Sequence, residues 1–187
     1  MTNVCFIRHG ETEWNSKKLI QGRVDTPLND IGIKQAEIAG EKLRELNIKW
    51  DAIFSSPLKR ALDTAKIALE KANINSNINI VDDLIERDFG DYEGEPVSSA
   101  NFYKMNNEVN LNTESLSDLV SRVKGAVDEI SKSYPNSNVL IFSHSQVIKA
   151  ILISIDSQFD FNYRINNASL NFIQIDNNNY TVTKINY

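Results

Sequence analysis

The sequence predicts an α/β fold, a three-layer α/β/α sandwich on a mostly parallel central sheet with an antiparallel hairpin at its C-terminal edge. Three observations predict it. Short apolar runs bounded by polar residues alternate with longer stretches of helical periodicity. The runs stand singly between helices, which favours a parallel sheet covered on both faces. Near the end, "SLNFIQI" and "YTVTKIN" flank Asp176 to Asn179, as the two arms of a hairpin do.

Taken in order, the first strand is Asn3 to Ile7. A helix follows from about Asp30 to Leu46, where Ile31, Ala36, Ala39, Leu43 and Leu46 fall near one face. Asp51 to Ser55 is the second strand. The next helix is expected to begin at Ser56-Pro57, because Ser is a good N-cap and Pro suits the first helical position, and to run to about Lys71. Ile78 to Asp82 reads as a strand, Glu114 to Lys132 as a helix, Asn138 to Ser143 ("NVLIFS") as a strand and Gln146 to Ile155 as a short helix.

The 187 residues contain no Pro/Gly/Ser tract or charge block that would mark a linker, so one domain over residues 1–187 is expected. With 41% hydrophobic and 24% charged residues the chain can bury a core. A formal net charge of −5 argues against nucleic acid or an anionic membrane as partner, so any anionic ligand must be held by a local cluster of arginines. No run of eighteen apolar residues occurs, and no charged segment with a long apolar stretch opens the chain; a cytoplasmic setting is expected. Cys5 is the only cysteine, which rules out an internal disulfide and reads as a small buried hydrophobe. One Cys and two His give no metal-ligand spacing.

Both histidines fall at strand exits, His9 after "VCFI" and His144 after "VLIF". Ligands of open α/β sheets bind outside the carboxyl ends of the strands, so two neighbouring parallel strands would bring both imidazoles to one crevice. Arg8 precedes His9, and a cation at a strand end seldom lacks a partner. Arg60 lies in the first turns of the helix after "DAIFSS". Arginine offers a planar fork of donors that matches phosphate, and a helix N-terminus adds oriented N–H groups.

"RHGETEWN", "QGRVDTPLNDIGIKQA", "FSSPLKRALDTA", "LIERDFGDYEG", "VLIFSHS" and "NNAS" together resemble the successive motifs of the histidine phosphatase superfamily, the phosphoglycerate mutase-like fold, from Val4 to Leu170. The resemblance implies that His9 is the nucleophile, forming a phosphohistidine through one ring nitrogen while the other donates a hydrogen bond, with a backbone carbonyl to fix that tautomer. Arg8, Arg60 and a protonated His144 would hold the phosphoryl oxygens, and no metal or cofactor is required. Asn15, Gln21 and Gly22 match positions that contact the phosphoryl group or substrate, the glycine because its N–H approaches without a Cβ in the way. Glu86 stands where the family keeps its general acid/base, which needs a proton affinity raised by burial against the pull of the arginines. Glu93 is expected to have a structural hydrogen-bonding role and Asp25 and Thr26 to fix a loop, while Arg87 reads equally as a surface cation or a substrate contact.

One departure is Ser145-Gln146, where the family commonly has glycine after the second histidine. Ser145 is expected to cap the following helix or to bind substrate. Three functions fit: a metal-independent phosphomonoester hydrolase, a bisphosphoglycerate-dependent phosphoglycerate mutase, and a catalytically weak regulatory or binding member. Family mutases carry a longer basic insertion, whereas Pro96 to Thr113 holds only Lys104, which favours the phosphatase. The substrate is expected to be a small phosphomonoester, with α-ribazole phosphate and sugar phosphates as candidates; a homodimer is compatible with it. Phe89, Tyr92, Phe102, Tyr103 and Met105 would line an apolar wall over the substrate or belong to the core.

Overall fold

The computed structural model describes residues 1–107, 112–177 and 179–187; within the helix Ser99–Asn107 the side chains of residues 102 and 105–107 fall outside that description. The elements are β1 (Thr2–Arg8), α1 (Glu13–Ser16), α2 (Asp30–Leu46), β2 (Ala52–Ser55), α3 (Lys59–Lys71), β3 (Ile78–Ile80), α4 (Ser99–Asn107), α5 (Leu116–Ser133), β4 (Asn138–Ser143), α6 (Ser145–Ile155), β5 (Leu170–Asp176) and β6 (Asn179–Lys184). The sheet order is β3-β2-β4-β1-β5-β6. The first four strands in that order pair in parallel, and β5 and β6 add an antiparallel edge. No helix among the described residues is long and apolar enough to cross a membrane.

Period-two alternation explains the three layers. Val4, Phe6, Phe54, Val139 and Ile141 face α5 and α6, packing on Leu119, Val123, Val127, Val147 and Ile151. Cys5, Ile7, Ile53, Leu140 and Phe142 point the other way, onto Ala39 and Leu43 of α2 and Ala65 and Leu69 of α3. Both faces of each central strand are therefore apolar, which is why those strands read as continuous apolar runs. Burying each large side chain contributes about 1.5–3 kcal/mol. Cys5 is fully buried, and burial pushes its thiol far above the ordinary range, as suits a core residue.

Most boundaries fall within one residue of expectation, and three larger shifts have an identifiable cause. The helix expected at Ser56-Pro57 begins at Lys59, after Leu58, whose side chain gives no cap. The Ser56 hydroxyl instead accepts from Leu58 N and is paired with His144 Nε2. Asp25, from a distant loop, takes the cap's place by accepting from Lys59 N at 2.7 Å. The strand expected to reach Asp82 stops at Ile80, and Asp82–Leu84 form a 3₁₀ turn. α5 begins at Leu116 because Ser115 caps it, accepting from Asp118 N at 3.0 Å.

Candidate active site

β1 and β4 are adjacent and parallel, with Arg8 opposite Ser143, so the next residues, His9 and His144, leave the sheet side by side. Their ring centroids are 5.2 Å apart and their planes are inclined by 58°. His9 N donates to Ser143 O at 2.9 Å, and His9 Nδ1 lies 2.7 Å from Gly10 O. A carbonyl can only accept, which assigns the proton of a neutral ring to Nδ1 and leaves Nε2 with its lone pair. Gly10 has no alternative: a Cβ there would lie 2.3 Å from Gly32 O at the start of α2.

Arg60 on α3 is completely buried, donating from Nη2 to Gly22 O at 2.6 Å and from Nη1 to Val24 O at 2.9 Å. Arg8 Nη1 donates to Ile165 O at 2.6 Å. The Nε atoms of both are buried without a partner among the described residues. Neither guanidinium has a carboxylate within 4.0 Å among the described residues. Burial pushes each down to about 10, still charged at neutral pH. One buried and one half-buried cation without a counter-ion in ion-pair contact suit an anion that arrives from outside.

His144 is completely buried, its Nε2 is 2.7 Å from Ser56 Oγ, and its Nδ1 has no partner among the described residues. Burial, then the nearby Arg60, holds both histidines well below the ordinary value of 6.5. That fits a neutral His9. The same lowering works against the protonated His144 expected with a bound phosphoryl group, so that protonation needs the negative charge of the phosphoryl oxygens to drive it.

Glu86 is 4% exposed; Oε1 accepts from Arg87 N at 2.9 Å and Oε2 from Gln146 N at 3.4 Å. Burial raises its proton affinity and outweighs the lowering by the Arg87 N–H bond and the Arg60 charge. Its backbone is pinned by Arg122 of α5, which donates to the carbonyls of Asp83, Ile85 and Glu86 at 2.7, 2.9 and 3.2 Å. Arg87 is not the surface cation that one of the two expectations made it. It is buried, and its Nε donates to Glu114 O at 2.9 Å, so its side chain braces the turn.

The remaining expected residues form the collar. Asn15 Nδ2 donates to Gln21 Oε1 at 3.0 Å, the same oxygen accepts from the Thr12 hydroxyl at 3.0 Å, and Gln21 Nε2 donates to Thr26 Oγ1. Packing alone already requires Gly22: a Cβ there would lie 2.0 Å from Glu93 Oε1 and 2.8 Å from Arg87 O. Glu93 accepts from Arg23 N and Val24 N at 2.7 and 2.8 Å, in line with its expected structural role, as Asp25 and Thr26 are with theirs. Ser145 does not cap α6; it is the first helical residue, after His144 at the N-cap position, and it lines the adjoining cavity. Phe89 belongs to a small core with Ile20, and Tyr92 packs against it. Tyr103 is exposed and lines the cavity, whereas the side chains of Phe102 and Met105 lie outside the described residues.

Sequence reasoning missed Ser56, Arg122 and Asn167. Asn167, within the "NNAS" stretch, donates to His9 O at 3.1 Å and to Asn15 Oδ1 at 3.2 Å, joining the nucleophile's backbone to the collar. Among the described residues no group of three or more His, Cys, Asp or Glu side chains is arranged to hold a metal ion.

A family model described as the histidine phosphatase superfamily (branch 1) matches residues 4–187. An uncharacterized phosphatase PhoE of Bacillus subtilis is 41% identical over 155 residues, covering 83% of this chain and 78% of that protein. A metal-independent phosphoserine phosphatase of Arabidopsis thaliana is 32% identical over 186 residues, covering 94% and 77%. The solved structure of Bacillus stearothermophilus YhfR superposes with a TM-score of 0.85 at 25% identity, covering 97% of this chain and 95% of that one.

Proposed function

The chain belongs to the histidine phosphatase superfamily and is a phosphatase, and on that premise we propose that it hydrolyses small phosphomonoesters through a phosphohistidine at His9. His9 Nε2 attacks phosphorus; the N–P bond forms as the ester P–O bond breaks, and the departing oxygen takes the proton of Glu86. Water then gives its proton to the Glu86 carboxylate and attacks phosphorus, the N–P bond breaks, and phosphate leaves. Arg8, Arg60 and His144 hold the equatorial oxygens, which supplies most of the catalysis in phosphoryl transfer. An incoming dianion favours proton uptake by His144, reversing the bias of the empty pocket. Asn15, Gln21, Gly22 and Ser145 complete the rim that contacts substrate.

The observation that supports this reading most is the 2.7 Å contact of His9 Nδ1 with Gly10 O, which leaves Nε2 as a nucleophile within the field of Arg60 and Arg8. Water is the acceptor of choice because the Pro96 to Thr113 segment, where family mutases carry a longer insertion, is short, and because the Bacillus subtilis and Arabidopsis relatives, which match most of the chain, are phosphatases. α-Ribazole phosphate, sugar phosphates and, from the Arabidopsis relative, phosphoserine are the candidate substrates. The same proposal puts the enzyme in the cytoplasm, supported by a lone buried cysteine that needs no oxidising compartment. Turnover of para-nitrophenyl phosphate by the parent and by His9→Ala tests it: the variant is expected to be folded and inactive, and one that works at the parent rate overturns the assignment.

A further inference from the structure

A cavity of about 820 Å³ adjoins the site and shares Arg8, Ser145 and Gln146 with it. Its far wall adds two more cations, Lys149 and Arg164, among the hydroxyls of Ser98 and Tyr103. Three cations therefore line one opening in a protein of formal net charge −5. Among the described residues none of the three has a carboxylate within 4.0 Å. Gathering like charges without a counter-ion is costly unless an anion occupies the space between them.

Lys149 is 8% exposed, unusual for a lysine. It lies one turn beyond Ser145 on the same face of α6 and donates to Phe161 O at 2.7 Å, which uses one of its three N–H groups. Asp160 and Glu86 act on it only from beyond ion-pair distance. Arg164 is exposed and directly precedes Ile165, whose carbonyl receives the Arg8 guanidinium, so the chain that carries it is tied to the phosphate grip itself. A phosphoryl group needs Arg8 and Arg60; it leaves Lys149 and Arg164 unused.

We infer that the substrate carries a second anionic group, a carboxylate or a second phosphate, bound by Lys149 and Arg164 while its phosphoryl group lies against Arg8 and Arg60, an inference that rests on the phosphomonoesterase reading above. The cations that the Pro96 to Thr113 segment lacks are supplied here by α6 and the loop before β5.

The test compares matched substrates. 3-Phosphoglycerate and glycerol 3-phosphate differ only by a carboxylate in place of a hydroxymethyl group; fructose 1,6-bisphosphate and fructose 6-phosphate differ by a second phosphate. The parent is expected to prefer the doubly anionic member of one pair by about tenfold or more in kcat/KM, and the pair that shows it identifies the anion. Arg164→Ala and Lys149→Met are each expected to cut that ratio about fivefold, chiefly through KM of the doubly anionic substrate. Arg164→Glu, a surface change that the fold tolerates, is expected to cut it further. Ratios near one for both pairs in the parent, or ratios that the Arg164 variants leave untouched, overturn the inference while para-nitrophenyl phosphate turnover still supports the phosphatase reading. Failure of that reading registers separately, as turnover that survives His9→Ala, and takes the inference with it.

Discussion

The His9 and His144 rings stand 5.2 Å apart at the exits of two parallel strands, and burial and Arg60 hold both neutral. Two imidazolium ions at that spacing, beside two arginines, would repel strongly, which adds to burial in favouring the neutral rings.

This neutrality fixes the sign of a pH effect. Below about pH 6.5 the unfolded chain takes up protons that the native histidines refuse, so their contribution is complete above 6.5 and is lost as the pH falls. Every tenfold difference in proton affinity weighs about 1.4 kcal/mol. Urea unfolding at pH 7.5 and 5.5 should show a smaller loss in His9→Asn than in the parent; equal losses would contradict it. The depressed carboxylates Asp51, Glu114 and Asp128 act only below their ordinary values of 3.8 to 4.5.

Glu86 has the opposite sign. Its folded proton affinity lies above the ordinary 4.5, so the cost of its buried carboxylate is absent below 4.5 and complete above the raised value. Glu86→Gln should therefore gain stability relative to the parent on going from pH 4 to pH 8. In activity it should slow alkyl phosphates by about 10²-fold or more and para-nitrophenyl phosphate far less, because only the poor leaving group needs the proton. Equal losses on both substrates would remove Glu86 from the acid role.

Gly22→Ala drives a methyl group into the Glu93 carboxylate, which holds Arg23 N and Val24 N. The carbonyls of Gly22 and Val24 are the ones that fix Arg60. The variant should lose about 1–3 kcal/mol of stability from overpacking and at least tenfold in kcat/KM as Arg60 shifts. Unchanged kinetics in a folded Gly22→Ala would separate the Glu93 brace from the phosphate grip.

Ser56→Ala removes the hydroxyl 2.7 Å from His144 Nε2 and leaves that nitrogen buried without a partner. We expect a loss of about 1–3 kcal/mol in stability and roughly tenfold in kcat/KM, since the hydroxyl sets which His144 nitrogen faces the phosphoryl group. Thermal unfolding and steady-state kinetics measure both.

What the sequence disclosed and what it withheld follow from the range of the interactions. The bounds of α2 were legible, since its periodicity and its capping by Asn29 are local, with Asn29 Oδ1 accepting from Gly32 N at 2.8 Å, but Ile31, expected on its apolar face, is exposed. The exits of His9 and His144 were legible because each ends an apolar run. The start of α3 was not, because its first N–H is capped by Asp25, thirty-four positions away. Arg87 stayed open between a surface cation and a substrate contact for the same reason: the backbone carbonyl that its Nε reaches belongs to Glu114. Lys149 lay hidden inside an apolar helix that reads as core, and only the fold of Phe161 to Ile165 against it opens a second cationic wall.

The central claim is that the phosphoryl group passes through His9. Rapid acid-free quenching of the parent during turnover of a ³²P-labelled substrate, followed by alkaline digestion and mass spectrometry, tests it directly. The account predicts alkali-stable, acid-labile label on the peptide that carries His9, formed and discharged at rates compatible with kcat, and no label in His9→Ala. Steady turnover by the parent with no label on His9, or label that appears and is never discharged, would contradict it.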